Sequence, residues 1–284
     1  MGQLFRMELL QEIAETTFFT ASLENENPLS ILFVGPSGAA KTKLIQSYKS
    51  PFFHITDSVT SKGLYDVMKG DPSGKIKFIM VPDLNPTLSR KPSTAQATIA
   101  NLLSITCDGT VRIDDGREHK ECAHRPIGFV SACTPEIYDK NARKWFALGL
   151  RRRIIPIFFS YTQETINALQ KETRNGRVNS GDVEANNLKF PSRMVRPEIP
   201  AMMKYDIEKL SIVFARNLGK IAFVAENIRK WTVREVLPIS PQVTLQNLAM
   251  AHALRARRSR VLECDISFLN SFVEFTDHET PRKI

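Results

Sequence analysis

The chain has little of what would place it outside a reducing compartment. It holds four cysteines in 284 residues, Cys107, Cys122, Cys133 and Cys264, and none forms a CxxC pair. Scattered thiols argue against a disulfide framework and for an intracellular, cytoplasmic setting. No run approaches the ~20 apolar residues of a membrane-spanning helix, so no membrane partner is expected. The first fifteen residues do not read as a secretion signal, because Arg6, Glu8, Gln11 and Glu12 interrupt them. Gly2 stands second, but Arg6 fills the place where N-terminal acylation wants Ser or Thr. There is no internal repeat, no low-complexity tract and no Ser–His–Asp or paired-carboxylate arrangement. His119, Cys122 and His124 lie near one another in sequence, with Cys107 further off, but match no standard zinc spacing.

What is present describes an ordinary soluble protein with an unusual charge. Apolar residues make up 42% of the chain and charged residues 24%, enough for a real core and a solvated surface. The length allows one large domain or two modest ones. The net charge of +9 suits a polyanionic partner, which concerns attraction rather than fold.

Along the chain, apolar runs alternate with helical periodicity. Residues 4–23 read as an amphipathic helix carrying Leu4, Met7, Leu10, Ile13 and Ala14 on one face. Five short apolar runs read as buried parallel strands: 31–34, 52–55, 77–81, 127–132 and 154–159. Residues 41–48 and 94–104 read as helices. Thr110 to Ile113, then Asp114-Asp115-Gly116 and a polar return, read as a hairpin, because Asp-Gly suits a tight turn. The pattern predicts an α/β fold with a parallel sheet. Past Gln163 the character changes. Residues 172–187 are polar, carry Asn175-Gly176 and Ser180-Gly181, and read as a loop. Residues 204–230 and 242–257 read as helices of a small helical domain, and Trp145 and Trp231 as core.

The segment Gly35-Pro36-Ser37-Gly38-Ala39-Ala40-Lys41-Thr42 nearly fits GxxxxGK[ST], with a strand before it and a helix after. In that pattern backbone amides wrap phosphates, the lysine reaches the β- and γ-phosphates, and the hydroxyl binds Mg²⁺. Ala40 replaces the second glycine, a substitution that suits a helical backbone at that position. Asp83 ends an apolar strand, where it would hold the Mg²⁺ shell. The residues after it are Leu84 and Asn85, neither of which can act as a base, so ATP binding is better supported than fast hydrolysis.

These features, with the strand Phe129 to Thr134 and the basic run before Ile154, follow the order of an AAA+ module. The stretch from Leu102 to Glu136 resembles the helix, pre-sensor hairpin and sensor-1 strand of the MCM helicases, the MoxR ATPases and the sigma-54 activators. The stretch Leu245 to Leu254, with Val261, Asp265 and Ile266, resembles their helical lid. The resemblance implies an N-terminal helix at 1–27, a nucleotide-binding domain at 28–162, a linker or insert at 163–203 and a lid domain at 204–284. It implies ATP and Mg²⁺ as cofactors, Thr134 in the sensor-1 place, and an arginine finger among Arg151, Arg152 and Arg153, best at Arg153 or Arg152. Gln242 stands where a sensor-2 arginine is expected. An arginine finger implies self-association into a ring or filament. The MCM-like hairpin implies DNA contacts through Arg112, Arg117, Lys120 and Arg125, and the run Arg255 to Arg260 is the densest basic patch.

The function expected is therefore an oligomeric, DNA-associated AAA+ ATPase: a helicase, a helicase loader or a DNA-assembled regulator, working with a partner protein. A MoxR-like protein remodeller and an ATP-locked scaffold with little hydrolysis are the alternatives.

Overall fold

The computed structural model describes residues 7–114, 119–174, 186–225, 228–233 and 236–284. In chain order the strands are β1 (Ser30–Val34), β2 (Tyr48–Lys49), β3 (Phe53–Ile55), β4 (Phe78–Val81), β5 (Thr110–Asp114) and β6 (His119–Ala123). Then come β7 (Gly128–Cys133), β8 (Ile154–Ser160), β9 (Asn186–Asn187), β10 (Lys220–Ala225), β11 (Ile228–Val233) and β12 (Arg282–Lys283). The helices are α1 (Glu8–Phe19), α2 (Lys41–Gln46), α3 (Ser61–Gly70), α4 (Asn85–Leu88), α5 (Pro92–Asp108) and α6 (Pro135–Ala147). They continue with α7 (Leu150–Arg153), α8 (Gln163–Arg174), α9 (Ala201–Gly219), α10 (Ile239–Arg255) and α11 (Glu263–Phe275).

The centre is a six-stranded sheet in the order β12-β8-β1-β7-β4-β3, parallel throughout. All five expected core strands are in it. β1, β4 and β7 are buried along their whole length, as strands covered on both faces must be. Alternation along β1 divides the core: Ile31 and Phe33 face one apolar cluster, Leu32 and Val34 the other. The first cluster joins α1, α2, α9, α10 and α11 to the sheet. The second holds Leu64 and Met68 of α3, Ile99 and Leu102 of α5, and Tyr138 and Trp145 of α6. The result is a layered α/β protein.

The N-terminal helix forms as its spacing predicts. Leu10, Ile13, Ala14 and Phe18 are buried, while Leu4 lies outside the described residues. Helix α5 begins with Pro92, whose missing amide costs nothing there. It ends at Gly109, which has φ +67° and whose Cβ would meet the His124 carbonyl oxygen at 2.0 Å. That glycine turns the chain into the expected hairpin, with β5 antiparallel to β6. The connecting residues 115–118 are outside the described set.

The helix expected over 204–230 is corrected by the structure. It stops at Gly219, and β10 and β11 pair as an antiparallel hairpin. The physical reason is local composition: Ile221, Phe223, Val224, Ile228, Trp231 and Val233 are β-branched or aromatic and favour a pleated surface. The Trp231 side chain lies outside the described residues, whereas Trp145 is buried as expected. The expected loop at 172–187 begins inside α8, and residues 175–185 lie outside the described set.

A charged clasp ties α1 to the C-terminal helices. His252 on α10 presents Nδ1 to Asp265 Oδ1 at 2.5 Å and Nε2 to Glu12 Oε1 at 3.0 Å. Arg258 grips both Asp265 oxygens at 2.6 and 2.7 Å. Arg255 donates to Glu12 and Glu15. The Leu262 amide donates to Asp265 at 2.7 Å, capping α11. Asp265 is fully buried. Burial alone would raise its carboxyl pKa, but hydrogen bonds from His252, Arg258 and the Leu262 amide outweigh that and hold it at about 2.

Candidate functional site

The site lies at the carboxyl edge of the sheet, where the strand order reverses direction. From β1 the chain crosses to the far edge at β3, returns through β4 to β7 beside β1, and then passes to β8 on the other side. Open parallel sheets leave their ligand crevice at such a point.

The loop after β1 occupies this crevice. The Gly35 amide faces the Cys133 carbonyl at 3.4 Å, so the loop starts against the end of β7. A Cβ at Gly35 would fall 2.6 Å from the Phe159 ring, which explains that glycine by close approach. Gly38 has φ +76°. Ala40 has φ 53° and ψ 17°, a left-handed conformation. The condition under which alanine would fit, a helical backbone, is not met: alanine stands where only glycine is free of steric cost.

Lys41 turns back under the loop. Its Nζ donates to the Gly35 carbonyl at 2.7 Å and the Pro36 carbonyl at 2.6 Å, and the residue is buried. Burial lowers its pKa, opposed by the charges of Asp83 and Glu136. Burial also pushes the Cys133 thiol strongly up, which keeps it neutral. Thr42 is exposed beside it, and as first-turn residues Lys41 and Thr42 have amides with no intrahelical acceptor.

Asp83 sits on the same edge. Its Oδ1 accepts from the Asn85 amide at 2.9 Å, starting α4, and the residue is exposed. The Leu84 amide donates to the Ala132 carbonyl at 2.9 Å. Thus β7 holds the start of the glycine loop and the turn after Asp83 through adjacent carbonyls. Leu84 itself is 3% exposed and packs in the second apolar cluster, so it does not face the loop. Thr134, at the end of β7, is half-buried and precedes α6.

Sequence reasoning missed two parts of this edge. Glu136 hydrogen-bonds with Thr134, which together with its own amide and the Lys41 charge holds its carboxyl below the usual range. The signal available was an acid in a helix first turn after Thr-Pro. The second part is a cleft of about 840 Å³ lined by Pro36, Ser37, Gly38, Tyr161, Ile166 and Leu169. Tyr161 donates to the Ala39 carbonyl at 3.2 Å, fixing the cleft wall to the loop. Ile166 and Leu169 stand three apart on α8, a spacing that could have shown the helix in the 163–203 linker.

The candidate arginines divide. Arg151 is 1% exposed. It donates to the Lys220 carbonyl, and to the Asn217 carbonyl at 3.3 Å, closing the end of α9 and lying 5.7 Å over the Tyr138 ring. It is therefore a packing residue. Arg152 and Arg153 are exposed. They stand at the amino end of β8, a strand length of roughly 20 Å from the loop edge, so the structure does not bring them to this chain's own loop.

The candidate nucleic-acid residues are partly neutralised. Arg112 pairs across the hairpin with Glu121 at 3.2 Å. Arg125 reaches the Met194 sulfur, Lys120 makes contacts of its own, and Arg117 lies outside the described residues. In the basic run, Arg255 and Arg258 are committed to the clasp, while Arg257 and Arg260 are exposed. Gln242 lies in the first turns of α10, its amide bonded to the Pro238 carbonyl. Among the described residues no group of three or more His, Cys, Asp or Glu could hold a metal, and none of their helices is long and apolar enough to cross a membrane.

No protein-family model matches this chain, and a search of curated proteins finds no match. The geometry defines the class: a mixed α/β protein with a parallel sheet and a glycine loop at its switch point, compatible with a P-loop domain.

Proposed function

We propose that this protein binds ATP with Mg²⁺ and acts as an oligomeric AAA+ ATPase associated with DNA. The observation that carries the proposal is the meeting of three elements on one sheet edge. The Gly35–Thr42 loop leaves β1, Asp83 leaves β4, and Thr134 leaves the strand between them. The residues fit the ligand. Lys41 already holds its ammonium among loop carbonyls, and Thr42 and Asp83 offer the hard oxygen donors Mg²⁺ prefers, with waters completing the shell. In this reading the loop amides and Lys41 hold phosphates, Thr134 contacts the terminal phosphate, and the cleft along α8 takes the base. In this reading helices α9–α11, which share one apolar cluster with the sheet, serve as the lid.

Self-association follows from the same reading. Arg152 and Arg153 can serve a phosphate only across a subunit boundary, in a ring or filament. DNA enters through the +9 charge and the hairpin, and a partner protein would supply specificity. If DNA phosphates are the contact, affinity falls about 1000-fold between 50 and 200 mM salt; a flat salt response removes DNA from the proposal.

The test of the whole is nucleotide titration of the purified chain, with and without Mg²⁺, against Lys41→Ala. Tight Mg²⁺-dependent ATP binding that Lys41→Ala weakens by about 100-fold is expected. Equal binding by both proteins sinks it. A second reading, an ATP-locked scaffold, is favoured by one observation: Leu84 is packed in the core where a water-orienting acid would be needed. It predicts ATP-dependent assembly without turnover.

A further inference from the structure

The acid absent after Asp83 has a counterpart on the neighbouring strand. Strand β7 lies between β1 and β4, pairing Val34 with Cys133 and Val81 with Ser131. Its Cys133 carbonyl faces the Gly35 amide and its Ala132 carbonyl holds the Leu84 amide. The chain therefore leaves β7 between the glycine loop and Asp83, and its next residues are Thr134, Pro135 and Glu136. Glu136 is exposed in the first turn of α6. Its charge acts on Lys41 alongside that of Asp83, both opposing the lowering by burial. The alternatives nearby are weaker: Leu84 is in the core, and Asn85 carries an amide that cannot take a proton.

We infer that Glu136 is a catalytic residue that orients the attacking water for ATP hydrolysis, doing from the end of β7 what an acid after Asp83 does elsewhere. The inference rests on the loop being an ATP site. Glu136 accepts a hydrogen bond from water while the water oxygen bonds to the terminal phosphorus. The bond from that phosphorus to the bridging oxygen breaks, and its electron pair leaves with ADP. One water proton stays on the inorganic phosphate, and the other passes through Glu136 to solvent. Because such transition states ask for positioning more than for a strong base, an ionised carboxylate at the first turn of α6 suffices.

A purely structural role is also chemically reasonable, since an acid in a helix first turn favours the helix. The two roles separate in experiment. Glu136→Gln is compared with the wild type by steady-state ATP turnover, titration with a fluorescent ATP analogue, and thermal melting. The expected result is a turnover loss on the order of 100-fold, with analogue affinity within about threefold and an unchanged melting temperature. Should the glutamine variant fail to fold, Glu136→Asp keeps the first-turn charge and is expected to fold, bind and turn over slowly. Unchanged turnover overturns the inference, as does loss of binding together with turnover. ATP binding by a wild type that never hydrolyses it also overturns the inference, while leaving the ATP site standing. Absence of ATP binding by the wild type removes the site itself, a result distinct from all the others.

Discussion

Two clusters of charge in the same chain are handled in opposite ways. In the clasp of Glu12, Glu15, His252, Arg255, Arg258 and Asp265, the charges answer one another within the chain. At the loop edge, Lys41 donates to backbone carbonyls, while Thr42, Asp83 and Glu136 are exposed. The run Arg255 to Arg260 is the denser basic patch in sequence, yet two of its arginines are committed to ion pairs within the chain. Charge density alone does not mark a binding surface. Charge turned outward at a crevice is the better sign.

The largest expected effect breaks the clasp. Asp265→Ala leaves His252 and Arg258 without their buried partner and should cost about 3–5 kcal/mol in chemical denaturation, with nucleotide affinity unchanged. The acid limb follows from the same residue. Its folded pKa, about 2, is below the ordinary 3.8, so its contribution is complete above pH 4 to 5 and is lost as pH falls through about 2. That loss should be roughly 2 kcal/mol, and Asp265→Asn should remove this part of the pH dependence. A variant that loses ATP affinity as well would join the two regions into one.

Next comes Leu84→Glu. On paper it restores the acid after Asp83; in the fold it places a carboxyl group in an apolar cluster. It should destabilise by about 3 kcal/mol without raising turnover. A stable variant with faster hydrolysis would show that Leu84 can turn toward the loop. Lys41→Ala should act in the opposite sense, cutting ATP affinity by about 100-fold, some 2.7 kcal/mol, while moving the melting temperature little. A large melting shift would mean that Lys41 belongs with the clasp, as a structural charge.

The contrast also explains what could be read beforehand. The core strands β1, β4, β7 and β8 were legible because they are largely apolar runs, a signal that needs no tertiary information. The loop and Asp83 were legible because strand, turn and residue types recur at fixed spacing. Glu136 was not, because its interest depends on β7 lying between β1 and β4, a fact of topology. The β10–β11 hairpin was missed because Ile221, Phe223 and Val224 are apolar at spacings a helix also tolerates. The fate of Arg151 and Arg258 was invisible because Asn217 and Lys220, and Asp265, are joined to them only in the folded chain.

The smallest expected effect sharpens the comparison at one backbone position. Ala40 holds φ 53°, which costs an L-residue roughly 1–2 kcal/mol. Glycine removes that cost but adds about 0.5–1 kcal/mol of unfolded-chain entropy, and it gives up the contact between the Ala40 methyl and the apolar cluster. Ala40→Gly should therefore stabilise by only about 0.5 kcal/mol, a rise of 1–2 °C in melting temperature. Ala40→Val should fall in the other direction by more than a surface substitution does, since a branched Cβ is worse at positive φ. The loop amides gain room in the glycine variant, so ATP affinity should rise while the clasp is untouched. Equal melting of the alanine, glycine and valine proteins would show that the loop relaxes out of the left-handed conformation, and that its shape is set by what it binds rather than by the fold around it.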